Sequence, residues 1–302
     1  MYRPSRRELF VAPACAFLAG RLRALPLSSI KLGITTDEID DDVLVAAKFL
    51  REHGLKWAEV RNIWGPYNTA QPMEKVREAA RIFDENGIRV SIEGTAFFKI
   101  PLPPETPEGQ AILDKQWALL DSAMERAKAF GTDKLRVFTF MLGRGETTSE
   151  KSYARIYELT REAARRAKGF RLAIENIGGG HVATGAQAGE LLKRVKESNV
   201  GITWDPNNAG ESEQSFPDGY RKLDPARIFH VHLRDYKHQP DGKVVWAAVG
   251  AGEFDNLGQI RAMVKDGYKE TFTLETHWRD PKGKMYSTET SLTALLKIIE
   301  KV

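Results

Sequence analysis

From Lys31 onward the chain repeats one alternation. A short run of β-branched and apolar residues gives way to a polar turn, then to a segment whose apolar positions recur every three or four residues. Short apolar runs bounded by turn residues predict strands. Eight fit: Lys31–Thr36, Trp57–Asn62, Arg89–Thr95, Lys134–Phe140, Arg171–Asn176, Val200–Asp205, Ile228–Asp235 and Thr271–Trp278. The segments between them carry helical faces, with Val43, Ala46, Ala47 and Leu50 on one, and Ala79, Ile82 and Phe83 on another. Leu113, Trp117, Leu120, Met124 and Ala127 form a third face, and Ile156, Leu159, Ala163 and Ala167 a fourth. Gly54, Gly87, Gly131, Gly169 and Gly267 stand where helices must stop before the next strand, a position that favours the left-handed conformation open to glycine. Strands alternating with amphipathic helices pair in parallel through right-handed crossovers. Eight such units predict an α/β fold, a single-domain (β/α)8 TIM barrel over residues 28–302. An open doubly wound sheet fits less well, since no glycine-rich dinucleotide loop follows the first strand.

Side chains alternate across a strand, so one parity faces the helices and the other the lumen. The apolar parity is Leu172 and Ile174 in the fifth strand, and Val200, Ile202 and Trp204 in the sixth. In the seventh it is Phe229, Val231 and Leu233, and in the eighth Phe272 and Leu274. The opposite parity then sends Glu175, Asp205, His230, His232, Arg234, Glu275 and His277 inward, near the carboxyl ends where this fold builds its sites. Buried carboxylates are costly without a cation or donors. A lone inward glutamate is usually a barrel ion pair, but Glu175, Asp205, His232 and Glu275 come from four consecutive strands at similar depth. Three carboxylates and one imidazole suit a single divalent ion, Mn²⁺, Mg²⁺, Co²⁺ or Zn²⁺. His230 is an alternative ligand, and His277 reads as a neighbour of the centre rather than part of it.

The formal net charge of +4 sits entirely in residues 1–24, where five arginines face one glutamate, so the remainder sums to zero. A neutral body gives no electrostatic case for nucleic acid or an anionic membrane. Residues 1–27 read as a leader: Ser5-Arg6-Arg7-Glu8-Leu9-Phe10 precedes a weakly apolar stretch containing Cys15, the sole cysteine. The paired arginines resemble a twin-arginine signal, which predicts export to the periplasm or exterior. A disordered tail on a cytoplasmic protein is the plainer alternative. No apolar run reaches membrane-spanning length.

At Leu172-Ala173-Ile174-Glu175-Asn176, Gly201-Ile202-Thr203-Trp204-Asp205-Pro206-Asn207-Asn208, His230-Val231-His232-Leu233-Arg234-Asp235 and Leu274-Glu275-Thr276 the chain resembles the xylose-isomerase-like TIM barrel superfamily of sugar isomerases and epimerases. Val249–Asp255 is similar to that family's glycine-rich turn. The resemblance implies that Glu175, Asp205, His232 and Glu275 are the metal ligands. It also implies that Glu175 and Glu275 are the catalytic acid/base pair on a ketose or related polyol. Three positions depart from the epimerase pattern: Asn208 stands for a histidine, His181 for a glutamate and His238 for an arginine. His181, Asn208, His238, Lys237, Glu59 and Trp278 are the candidate substrate-binding residues, with Arg61, Glu93 and Arg136 as further inward groups. Trp64 and the loop Phe97-Phe98-Lys99-Ile100-Pro101 read as a wall over the site or a homo-oligomer contact.

Three rivals share the fold. A barrel-type apurinic endonuclease needs a histidine-rich three-zinc site, whereas all six histidines here leave the second and third strand ends without one. A lyase or dehydratase on a keto-sugar, keto-polyol or 3-keto-glycoside would use the same enolate to expel a leaving group. A non-catalytic carbohydrate-binding barrel would not need both glutamates.

The leader generates its own test. Arg6→Lys with Arg7→Lys is expected to abolish export in the native host, followed by cell fractionation; an unchanged distribution rejects the twin-arginine reading.

Overall fold

The structure is a computed structural model describing residues 30–210 and 214–302; the leader expected over residues 1–27 lies outside them. Ten strands form in chain order: β1 Leu32–Thr35, β2 Trp57–Val60, β3 Arg89–Gly94, β4 Lys134–Val137, β5 Arg171–Glu175, β6 Val200–Trp204, β7 Ile228–Leu233, β8 Asp235–His238, β9 Val244–Ala247 and β10 Phe272–Leu274. Eight close a parallel barrel in the order β1-β10-β7-β6-β5-β4-β3-β2, while β8 and β9 pair antiparallel as a separate hairpin. The expected seventh strand ran to Asp235, but the barrel ladder ends at Leu233. The buried Asp235 carboxylate instead accepts the backbone N–H groups of Gly250, Gly252 and Phe254 at 2.9, 3.2 and 3.0 Å. That collects the glycine-rich turn and redirects the chain into the hairpin.

The helices are α1 Thr36–Ile39, α2 Val43–Glu52, α3 Met73–Glu85, α4 Pro107–Phe130, α5 Glu150–Arg166, α6 Gly185–Arg194, α7 Pro206–Ala209, α8 Asn256–Lys265 and α9 Lys284–Ile299. Local chemistry sets their starts: Asp42 caps α2, Thr106 precedes Pro107 at α4, and Ser149 and Thr184 form capping boxes at α5 and α6. The five glycines expected to stop helices all have positive φ, between 70° and 91°. Among the described residues of the β6–β7 connection no long helix forms; short turns lie around Pro217 and Pro225. Among the described residues no helix is long and apolar enough to cross a membrane.

One continuous apolar core, including Ile34, Val60, Leu172, Ile202, Val231 and Leu292, fills the layer between strands and helices. Two register shifts, between Ala58 and Glu59 against β3 and between Ile202 and Thr203 against β7, interrupt the strict alternation. Their consequence corrects two expectations. Phe229 does not join the helix-facing core; it packs with Ile92 and Ala173 as a separate cluster inside the barrel. Glu93 is fully buried with neither oxygen hydrogen-bonded, and the charge acting on it is Arg126 of α4, outside the barrel wall. Burial pushes its carboxyl well above the usual range, so Glu93 belongs to the helix layer and not to the substrate shell. A bulge places two successive residues opposite one partner, and parity counted along the sequence fails beyond it. Beneath Phe229 the amino-terminal rim is held by Lys134 and Arg171, each on Glu270 at 2.9 and 2.8 Å, with Arg171 also on Asp133.

Phe229 fits only because residue 201 has no side chain. A Cβ there would lie 2.6 Å from the Phe229 ring and 2.5 Å from the Arg227 carbonyl. Gly201→Ala is therefore expected to cost about 1–3 kcal/mol in urea unfolding with an unchanged slope; an unshifted midpoint contradicts this packing.

Candidate metal centre

Glu175 closes β5, Asp205 follows β6 as the cap of α7, His232 lies in β7 and Glu275 follows β10. The four strands are neighbours in the barrel, so their carboxyl ends deliver these side chains to one point. One ligand atom from each lies within 4.8 Å of all the others, and all four residues are buried. His232 Nδ1 is 3.5 Å from Glu175 Oε1, 3.5 Å from Asp205 Oδ2 and 3.2 Å from Glu275 Oε2. Three atoms of the cluster, Glu175 Oε2, His232 Nδ1 and Glu275 Oε2, have no hydrogen-bond partner. Buried polar atoms are rarely left so. Oxygen and imidazole donors converging with spare lone pairs fit a divalent cation.

Neighbouring groups fix each donor. The Nε2–H groups of His232 and His230 both donate to Glu59 Oε2, at 2.8 and 3.0 Å. Burial opposes a charge on Glu59, but His232 and Arg136 hold its carboxyl well below the usual range. An ionised Glu59 can only accept, so it puts a proton on Nε2 of His232. Burial works against a charge on this ring, but Glu59 and Glu275 push its pKa well above the usual value, so Nδ1 also carries a proton until a cation takes its place. The contact with Glu59 turns His230 away from the cluster, and burial pushes its pKa down to about 4, leaving it neutral. Asp205 Oδ1 accepts the N–H groups of Asn207 and Asn208 at 2.9 and 3.0 Å. The Asn176 side chain brackets the backbone of Asp205 at 2.7 and 2.8 Å.

Cations complete the shell. Arg136 Nη1 lies 3.2, 3.4 and 3.7 Å from Glu175, Glu59 and Glu275. Arg61 bridges Glu275 to Asp37 and Glu38. Arg234 pairs with Asp205, bonds Asn208 Oδ1 at 2.7 Å and stacks 4.2 Å from the Trp246 ring centroid. Burial acts to raise the Glu275 pKa, but His277, His232 and Arg61 hold it well below the usual range.

The expected substrate-binding residues divide. Asn208 is at the centre, donating to Glu175 Oε1 at 3.2 Å. Glu59 is fully buried, with one oxygen bound to both histidines. His181 is buried beside the site with Nδ1 3.3 Å from the Phe140 carbonyl. Trp278 is half-buried, three residues past Glu275. Lys237 and His238 lie on the exposed β8–β9 hairpin, His238 bound to Glu253 at 2.8 Å, and neither contacts the four ligands. The hairpin, invisible in the strand pattern, carries them outward. Sequence reasoning passed over Asp37, Glu38 and Arg234 as site residues. The adjacent acidic pair directly after β1, and the lumen parity of Arg234, were the available signals. A groove of about 660 Å³ lined by Trp57, Phe83, Arg89 and Phe130 opens at the amino-terminal rim, away from this chemistry.

The xylose isomerase-like TIM barrel family profile matches residues 47–298. Among solved structures, the IolI protein with a bound zinc atom aligns over 90% of this chain and 99% of its own, at 17% identity and TM-score 0.73. D-allulose 3-epimerase from Methylomonas sp. in complex with D-allulose aligns over 91% and 98%, at 17% identity and TM-score 0.72. A xylose isomerase-like TIM barrel protein from Mycobacterium smegmatis in complex with magnesium aligns over 90% and 97%, at 18% identity and TM-score 0.66. No curated protein sequence matches.

The cluster predicts about one divalent ion per chain, measured by elemental analysis, and its loss in Asp205→Ala. Glu59→Gln cannot accept from both histidines as a carboxylate does, and is expected to weaken metal affinity about 10–100-fold in a chelator competition. Full stoichiometry in the double variant Asp205→Ala, Glu175→Ala overturns the assignment.

Proposed function

The chain belongs to the xylose isomerase-like TIM barrel family, and on that premise we propose that it is a divalent-metal-dependent sugar isomerase/epimerase acting on a ketose or related polyol, with Glu175 and Glu275 as acid and base. One observation carries the reading. Two carboxylates from β5 and β10, three places apart around the barrel, meet at the Nδ1 of His232, each with one oxygen that accepts no hydrogen bond. The resemblance in fold to D-allulose 3-epimerase and to D-psicose 3-epimerase with D-tagatose supports a carbohydrate substrate.

Glu175, Asp205, His232 and Glu275 would hold the ion. When bound, a divalent cation supplies Lewis acidity that makes a proton on the carbon beside a carbonyl easier to remove. The protein side chains do the rest. Asn208 fixes one oxygen of Glu175, and Arg61 fixes one oxygen of Glu275, so each carboxylate presents its other oxygen in a set direction. One takes the carbon-bound proton, whose electron pair moves into the carbon–carbon bond as the carbonyl oxygen becomes anionic. The other, protonated, returns a proton to the opposite face, giving the epimer. Arg136, within 3.7 Å of both glutamates, offsets the negative charge that develops. The stacked Phe97, Phe98 and Phe140 rings, 3.8 and 4.1 Å apart, are buried in the strand–helix core against Trp117 of α4, and so form neither a wall over the site nor a contact for a second copy. Elimination from the same enediolate is the second reading, motivated by the altered positions His181, Asn208 and His238.

Glu175→Gln and Glu275→Gln keep an oxygen donor and remove the base. Metal is expected to remain at reduced affinity while turnover falls about 10²-fold or more. In D₂O the wild type is expected to place deuterium on one substrate carbon. Mass spectrometry separates the readings: an unchanged formula apart from deuterium marks epimerisation, and loss of water or an aglycone marks elimination. Undiminished turnover in both glutamine variants refutes both.

A further inference from the structure

Glu38, at the carboxyl end of β1, ties together groups from distant parts of the chain. It is fully buried and accepts from Arg61, from Arg279 and from both the backbone N–H and the ring of His277. Its backbone carbonyl accepts from the Thr288 hydroxyl of α9 at 2.7 Å. Two guanidinium partners, at 3.2 and 2.8 Å, keep it a carboxylate, and a carboxylate can only accept. The 2.9 Å contact with His277 therefore runs from Nδ1–H to Glu38 Oε1. The other ring nitrogen, Nε2, makes no hydrogen bond among the described residues. It stands 3.8 Å from Glu275 Oε2, which accepts none either. That separation is too long for a direct hydrogen bond, but a single hydroxyl oxygen placed between them reaches both. The His277 side chain is 31% exposed and its backbone has φ 49°. Such a conformation persists only where its surroundings impose it, and here Glu38 does so.

Trp246 meets the same ring from the β8–β9 hairpin. Its centroid lies 5.9 Å from that of His277 at an interplanar angle of 62°, and 4.2 Å from the guanidinium carbon of Arg234. Trp246 is half-buried but packs against no part of the apolar core among the described residues. Arg234 is already bonded to Asp205 and to Asn208, so it does not need the indole to satisfy its charge. The hairpin is firmly seated. Tyr236 pairs across it with Trp246, and a Cβ on Gly210, directly after α7, would lie 2.7 Å from the Tyr236 hydroxyl. The indole is thus held between the residues that follow β7 and β10, next to the Glu275 carboxylate, with part of its surface open to solvent.

We propose that His277 and Trp246 form a substrate subsite for the carbons beyond the reacting pair, in which His277 Nε2 bonds a hydroxyl and the Trp246 ring covers the C–H face beside it. The substrate class is then a polyhydroxylated chain or ring that extends past the metal cluster. The proposal rests on the reading of Glu275 as acid or base, which places the reacting carbons beside Nε2. A hydroxyl both donates and accepts, so it suits Nε2 whether or not that nitrogen carries a proton. An aromatic wall with one fixed polar atom gives orientation as well as contact area.

The test uses the metal-loaded full chain with D-fructose and L-erythrulose, which share the ketone and the adjacent carbinol and differ in the carbons beyond. The wild type is expected to prefer D-fructose in kcat/KM. Trp246→Ala and His277→Ala are each expected to raise KM for D-fructose about 5- to 50-fold with little change in kcat, and to move KM for L-erythrulose less than about twofold. Trp246→Phe and His277→Asn, which keep a ring and a polar atom, are expected to recover part of the loss. Metal affinity in a chelator competition is expected to stay unchanged in all four. Equal wild-type kcat/KM on the two sugars overturns the proposal. So does a loss in Trp246→Ala that is equal on both sugars and accompanied by weaker metal binding, which would make the indole a shield for the Arg234–Asp205 pair. If neither sugar turns over or exchanges deuterium, the function proposed above fails separately. Calorimetric binding then decides this inference: tighter binding of D-fructose than of L-erythrulose, lost in Trp246→Ala, sustains it, and equal or absent binding ends it.

Discussion

Charge compensation in a desolvated lumen is the constraint on which the rest of this structure depends. Glu59, Glu175, Asp205 and Glu275 are each at most 4% exposed, and burying an uncompensated carboxylate costs several kcal/mol. No single cation can serve them all. Arg136 touches three of them, Arg61 anchors Glu275 to the acidic pair after β1, and Arg234 takes Asp205. Even so, Glu175 Oε2, His232 Nδ1 and Glu275 Oε2 are left without a hydrogen-bond partner, and one atom from each of the four residues lies within 4.8 Å of the others. A divalent cation held by the four side chains would remove that deficit.

The ends of the barrel divide the work. The amino-terminal rim is closed by Lys134, Arg171, Glu270 and Asp133, an ion-pair lattice with every member matched. Above it the Ile92, Ala173 and Phe229 plug separates this rim from the reactive groups. The carboxyl-terminal rim carries the strain. Trp64, Phe98, Phe140 and His277 all have positive φ, between 49° and 66°, and they follow β2, β3, β4 and β10. Such conformations persist only where the surroundings overdetermine them. Here aromatic stacking holds Phe98 and Phe140, and Glu38 holds both the backbone and the ring of His277 at 3.2 and 2.9 Å.

Glu59 shows how a residue can orient the four-residue cluster without being one of its members. It lies at Nε2 of His232, and its acceptor-only carboxylate leaves Nδ1 as the nitrogen that faces Glu175, Asp205 and Glu275. By holding His230 as well, it prevents a second histidine from competing for the site.

The strand-and-helix alternation was legible in the chain because hydrophobic periodicity and glycine stops are local, and the eight strands follow from them. The convergence of Glu175, Asp205, His232 and Glu275 was legible for the same reason: strand parity is a local rule, and similar depth on neighbouring strands is enough to bring them together. Where parity broke, the cause was not local. Phe229 entered the lumen and Glu93 left it because β-bulges depend on how two strands meet. Lys237 and His238 continue β7 in sequence, but Asp235 turns the chain into a hairpin by capturing the distant N–H groups of residues 250–254. The role of Glu59 lay beyond sequence altogether. Its contacts reach across 171 and 173 positions to His230 and His232, and only closure of the barrel brings β2 opposite β7. Sequence thus determined which chemical groups enter the lumen and near which end. Tertiary structure decided which of them gather in the cluster, which pair with one another and which face solvent, because those choices depend on contacts across the closed barrel.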